Sequence, residues 1–137
     1  MGTWGYLAFD NDAANDWKYD LEKTKDLSYV ERAFTELEEI GDEYLDQDFA
    51  CNALAACEVI AQLQYNFGYE NAYTESVDKW VRKTKIKPTA KLIARASAVI
   101  DRILAENSEL PELRDESGTG DEWRATVEDL RARLQKK

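Results

Sequence analysis

The amino-acid sequence predicts an all-α fold. Residues 1–137 read as a single-domain bundle of about five to seven helices around a central apolar helix, with an extended N-terminal segment. Three observations carry that expectation. Apolar residues recur at helical spacing in every long segment, and no segment keeps a strand period for more than a few residues. Between Asp48 and Glu70 the one charged residue is Glu58, so a helix there has no polar face and belongs in the middle of a bundle. Two prolines and six glycines leave room for long helices, and the chain is long enough to bury a core.

The chain opens with Met1-Gly2-Thr3-Trp4-Gly5, where the two glycines permit a tight path around Trp4. Asp10, Asn11 and Asp12 are all competent helix N-caps. Behind them Ala13, Trp17 and Leu21 make one apolar stripe, with Trp4 and Phe9 expected across the start of the helix as structural aromatics. Asp12, Asp16 and Asp20 stack on another face at spacing four. Ser28 and Glu31 have the spacing of a capping box for a second helix. Its stripe is Val30, Ala33, Phe34, Leu37 and Ile40, its outer side carries Glu31, Glu36, Glu38 and Glu39, and Gly41 closes it.

Asp46 or Asp48 caps the third helix, which extends to about Asn66 with Gly68 behind it. Its alanines let neighbouring helices approach closely. Glu58 lies inside it and requires a partner, for which Arg95 and Arg102 are the candidates. The alternative for Glu58 is a ligand-binding or catalytic acid. Phe67, Tyr69 and Tyr73 are expected to anchor the loop that follows to the core, the alternative being a contact surface, and Thr74 caps a short helix carrying Val77, Trp80 and Val81. Pro88 separates this from a fifth helix between about Thr89 and Glu106, with Leu92, Ile93, Ala96, Val99, Ile100, Ile103 and Leu104 on its apolar face. Ser108 caps a short turn over Glu109–Glu116, with Pro111 in its first turn. Asp121 caps the last helix, whose stripe is Trp123, Val127, Leu130 and Leu134. Arg124 with Glu128, and Asp129 with Arg133, pair at spacing four.

The opening Met-Gly-x-Trp-Gly, followed by Phe9-Asp10-Asn11-Asp12-x-Ala14-x-Asp16-Trp17, resembles the start of a small bacterial family, domain of unknown function 4259 (DUF4259). Three later segments are similar to it: Ala53 to Ala61, Ser108 to Leu113, and Trp123 leading to Leu130-Arg131-Ala132-Arg133-Leu134. Arg114 is a departure, standing where an aromatic is expected. The resemblance implies a fold and brings no activity with it.

Charge is unevenly placed. The net charge is -10. Met1 to Asp48 holds fourteen acids and four bases, whereas Phe49 to Lys137 holds fourteen of each. Lys79 to Arg102 is a basic block with Asp101 as its one acid. An acidic surface repels nucleic acid and attracts basic proteins. No segment has the length and apolarity of a signal peptide or membrane span, which points to a cytoplasmic protein. Cys51 and Cys57 are six apart in a helix, rotated by about 240°, so they face apart and stay as buried thiols.

The sequence contains no His. That removes the His-based nucleophilic triads and His-containing metal sites. No phosphate-binding glycine loop is present. Asp10-Asn11-Asp12 begins like a calcium loop, but Ala14, Asn15 and Leu21 stand where oxygen ligands, Gly and Glu belong. No cofactor or metal is expected. The favoured reading is a non-enzymatic acidic domain that docks a basic protein, as an inhibitor or immunity protein masks a nuclease toxin. Asp10, Asn11, Asp12, Asp16, Asp20, Glu36 and Glu39 are its candidate binding residues. The alternative is an enzyme or small-ligand binder that uses Glu58 with the Asp10-Asp12-Asp16 cluster.

Overall fold

The computed structural model describes residues 11–64 and 75–135. Trp4, Phe9, Asp10, the N-terminal segment that holds them and the aromatic loop before Thr74 lie outside the described residues. Within them the chain forms seven helices: α1 (Asp12–Leu21), α2 (Ser28–Glu38), α3 (Gln47–Leu63), α4 (Glu75–Thr84), α5 (Ala90–Leu104), α6 (Glu109–Glu116) and α7 (Gly120–Gln135). No strand is present among the described residues. An isolated parallel bridge joins Leu45 and Ser108.

The fold is arranged around α3. Every residue from Ala53 to Leu63 is buried, and α3 packs against each of the six other helices. Small side chains make this possible: Ala53, Ala55, Ala56 and Ala61 are fully buried and keep the rod thin, so neighbouring helices can approach on several sides. The stripes read from the sequence supply the opposing surfaces. They are Trp17 and Leu21 of α1, Val30, Phe34 and Leu37 of α2, Val77 and Trp80 of α4, Val99, Ile100 and Ile103 of α5, and Trp123, Val127 and Leu130 of α7.

Helix ends show where local signals hold and where they fail. Asn11 caps α1, its Oδ1 accepting from the Ala14 amide at 2.8 Å. Asp46 caps α3 and Thr89 caps α5, the latter through a bond from the Leu92 amide to Thr89 Oγ1 at 3.1 Å. The expected Ser28–Glu31 capping box does not form. Ser28 is already inside α2, and Asp26 accepts from its amide at 3.0 Å and its hydroxyl at 2.6 Å. Asp121 does not cap α7, because the helix begins one residue earlier at Gly120. A Cβ at Gly120 would collide with the Asp115 carboxylate, which is drawn close by its bidentate bond to Arg124. That bond also replaces the expected Arg124–Glu128 pair. Ser108 precedes α6 in extended conformation with no side-chain cap bond. Its neighbours instead clip to Leu45, whose amide donates to Asn107 O at 2.8 Å while its carbonyl accepts from the Glu109 amide at 2.9 Å. Glu109 then caps α3 from across the fold, accepting from the Gln47 amide at 2.9 Å.

α2 ends at Glu38, and the turn after it reaches Gly41 with φ +61°, a conformation glycine adopts without strain. Lys85 closes α4 with φ 54° and carries a side chain in that same left-handed region. Lys85→Gly is therefore expected to stabilise the fold by about 0.5–1 kcal/mol, read as a rise in the urea midpoint. An unchanged or lower midpoint would contradict strain at this position.

Candidate functional site

The first third of the chain turns its acids to solvent. From Asp12 to Asp48 there are thirteen Asp and Glu residues, and each is exposed or half-exposed. The apolar stripes of α1 and α2 fix this orientation. With Ala14, Trp17 and Leu21 turned inward, Asp12, Asp16 and Asp20 face outward; with Val30, Phe34 and Leu37 inward, Glu31, Glu38 and Glu39 do the same. The basic block does not cover them. Among the described residues Arg95 is the member of that block that reaches these acids. It bonds to both oxygens of Glu38 at 2.7–3.2 Å and lies 4.0 Å from Glu31. It also donates to Thr35 Oγ1 and sits 5.8 Å over the Phe34 ring. The other pairs are short-range and exposed: Lys23 with Asp20 at 3.7 Å and Arg32 with Glu36 at 3.0 Å. Asp12, Asp16, Glu39, Asp42 and Glu43 have no ion pair among the described residues.

The exposed large hydrophobics of the described residues fall in this stretch or directly after it: Tyr19 at 63%, Tyr44 at 51% and Phe49 at 37% exposure. Asp20 and Glu36 are brought to one groove, of about 370 Å³, between α1, α2 and the start of α3. Trp17 and Tyr29 line its wall, stacked with ring centroids 5.3 Å apart and planes inclined by 28°. Burial, reinforced by the Asp20 charge and its hydrogen bond from the phenol, pushes the Tyr29 hydroxyl above its ordinary pKa. Phe49 and Asn52 enter the groove from α3. Neither is among the candidate binding residues that the sequence offers.

Asn11 does not belong to this surface. It is 7% exposed, its side chain holds the start of α1, and it lines an internal cavity.

Glu58 is buried, and its partner is neither Arg95 nor Arg102. Arg133 of α7 grips it with two bonds, Nη1 to Oε2 at 2.7 Å and Nη2 to Oε1 at 2.8 Å. Arg133 Nε also donates to Asp129 at 2.9 Å, which confirms that helical pair. Burial alone would lower the Arg133 pKa, but the hydrogen bonds and charges of Glu58 and then Asp129 outweigh it and raise the value. Arg95 is spent on Glu38 and Thr35. Arg102 donates to the carbonyls of Gly41, Glu43, Glu106 and Asn107, tying the loop after α2 to the corner after α5. Gln62 adds a 3.4 Å bond to Glu58.

The cavity beside this pair is about 20 Å³, room for about one water. Asp12 and Asp16 are exposed and are absent from its lining. Cys51 shares the cavity wall, and burial pushes its thiol up to about 12. Burial raises Cys57 further, with its Sγ donating to Ala96 O at 3.6 Å. Neither is a thiolate near neutral pH, so neither has the form a nucleophile needs. No group of three or more Cys, Asp or Glu that could hold a metal ion occurs among the described residues. No helix of the described residues is long and apolar enough to cross a membrane.

Glu58 is buried and Arg133 nearly so: removing the guanidinium leaves a buried carboxylate without its counter-charge, and removing the carboxylate leaves Arg133 only Asp129. Glu58→Gln or Arg133→Met is expected to cost about 3–5 kcal/mol, whereas Glu58→Leu combined with Arg133→Met recovers most of that loss. Urea melts of the three variants check this. Additive losses in the double variant would contradict a closed pair.

A family model described as Domain of unknown function (DUF4259) matches residues 2–126. No curated protein matches, and no solved structure matches.

Proposed function

For a chain that belongs to the DUF4259 family, we propose a non-enzymatic role: it binds a basic protein through the acidic face of α1, α2 and the loop that follows. The observation that carries this reading is the coincidence of charge and anchors. Carboxylates without an ion pair among the described residues and the exposed aromatics Tyr19 and Tyr44 occupy the first third of the chain, and exposed Phe49 directly follows it at the start of α3. Clustered carboxylates raise the encounter rate with a positive partner, and partly exposed aromatics supply contact area at low entropic cost. An inhibitor or immunity protein that masks a cationic nuclease toxin in a bacterial cytoplasm has these requirements. Both cysteines are free thiols, which fits a reducing compartment. Asp12, Asp16, Asp20, Glu36 and Glu39 are the residues assigned to the docking face.

Neutralising the face tests this. The immobilised chain and an Asp16→Asn/Asp20→Asn/Glu36→Gln/Glu39→Gln variant are exposed to extract of the native host at low and high ionic strength. The wild type is expected to retain a basic protein at low salt and to release most of it at high salt. For the isolated pair, association with the variant is expected to be slower by about tenfold or more. Failure of the wild type to retain any basic protein at low salt would contradict the proposal. So would equal retention by the variant.

A further inference from the structure

We infer that the groove between α1, α2 and the start of α3 is a pocket for an arginine side chain of the basic partner; this rests on the docking role above and names its anchor. The groove has both features that bind a planar cation. Its wall is aromatic: Tyr29 stacks on the buried Trp17, and Phe49, 37% exposed, enters from a different helix. A guanidinium is flat, weakly hydrated and stacks on such rings, unlike a compact, strongly hydrated ammonium.

Its acceptors are the carboxylates of Asp20 and Glu36, and Asn52 lines it from α3. Asn52 Oδ1 is shielded from solvent and receives no hydrogen bond. That oxygen lacks a donor beneath the groove wall, and the Asn52 side chain turns outward for an incoming donor to reach it. The carboxylates are held only loosely. Asp20 meets the Tyr29 hydroxyl at 3.3 Å and the exposed Lys23 ammonium at 3.7 Å. Glu36 is bonded through one oxygen to Arg32, whose side chain is 71% exposed. Exposed pairs of this kind are weak, so an incoming guanidinium can exchange with Arg32. Arg32 already shows that an arginine head group bonds at this rim. The groove volume of about 370 Å³ is that of a small ligand pocket.

The test uses the full ¹⁵N-labelled chain and two probes at matched ionic strength, N-acetyl-arginine methylamide and its lysine counterpart. The arginine probe is expected to shift the Trp17 indole N–H and the Asn52 side-chain amide resonances, with the lysine probe severalfold weaker. Asn52→Ala and Phe49→Ala should each weaken the arginine response while the melting temperature stays close to wild type. If either variant is destabilised, the comparison of the two probes on the wild type decides. Equal responses to both probes would overturn the pocket, as would shifts confined to the backbone amides of the outward-facing Glu31, Glu38 and Glu39. A basic protein retained by the wild type while the arginine probe leaves the groove untouched overturns the pocket and keeps the docking face. An arginine-selective shift with no basic protein retained supports the pocket and overturns the docking face.

Discussion

Burying α3 on every side is the demand from which the rest of this structure follows. A helix without a polar face cannot lie at a surface, so the other six helices are disposed around it. Its alanines set how close they come. Its one buried carboxylate, Glu58, sets a second condition, because a charge at that depth has to be met by a charge of opposite sign with matching geometry. Arg133 meets it from α7, and the last helix is thereby joined to the centre by a polar bond as well as by its apolar stripe. The cost of desolvating the pair makes it a poor source of net stability. Its value lies in fixing how α7 sits, since few registers bring a guanidinium to that point.

The same economy of arginine explains how a chain of net charge -10 keeps an acidic face open. The arginines of the second half act as cross-ties. Arg95 joins α5 to α2, Arg102 joins the corner after α5 to the loop after α2, Arg131 joins α7 to Asp101 of α5, and Arg124 joins α7 to α6. Most of these ties spend positive charge on carbonyls or on acids of the second half. Lys83, Lys85, Lys87 and Lys91 stay exposed around the connection between α4 and α5. Opposed blocks of charge in the sequence thus do not fold onto each other as a neutralising sandwich. Among the described residues Arg95 is the one member of the basic block in an ion pair with the acids of the first third, and the other carboxylates of α1 and α2 keep their field.

The helices were legible because their signal is one-dimensional. Val30, Ala33, Phe34 and Leu37 can only be a buried stripe in a helix, and the near absence of charge in α3 can only mean burial. Helix ends were less so, because a cap depends on where neighbouring backbone lies. Ser28 and Glu31 have capping-box spacing, yet Asp26 already satisfies the Ser28 groups. The partner of Glu58 was missed because charge density drew attention to the block from Lys79 to Arg102. The available signal was that Arg133 borders the stripe residues Leu130 and Leu134, where a long side chain points along the interface rather than away from it. The groove was not legible at all. Trp17, Tyr29 and Asn52 lie on three helices, and nothing in their spacing says that they meet.

If α3 is the rod on which everything else is mounted, it is the last part of the molecule to open. Native-state hydrogen exchange under increasing denaturant measures this directly, amide by amide. The amides from Ala53 to Leu63 are expected to exchange only through global unfolding, at the free energy given by equilibrium melts, while those of α1 open at lower free energy. Sub-global exchange of α3 at a free energy below that of α1 or α7 would contradict the account.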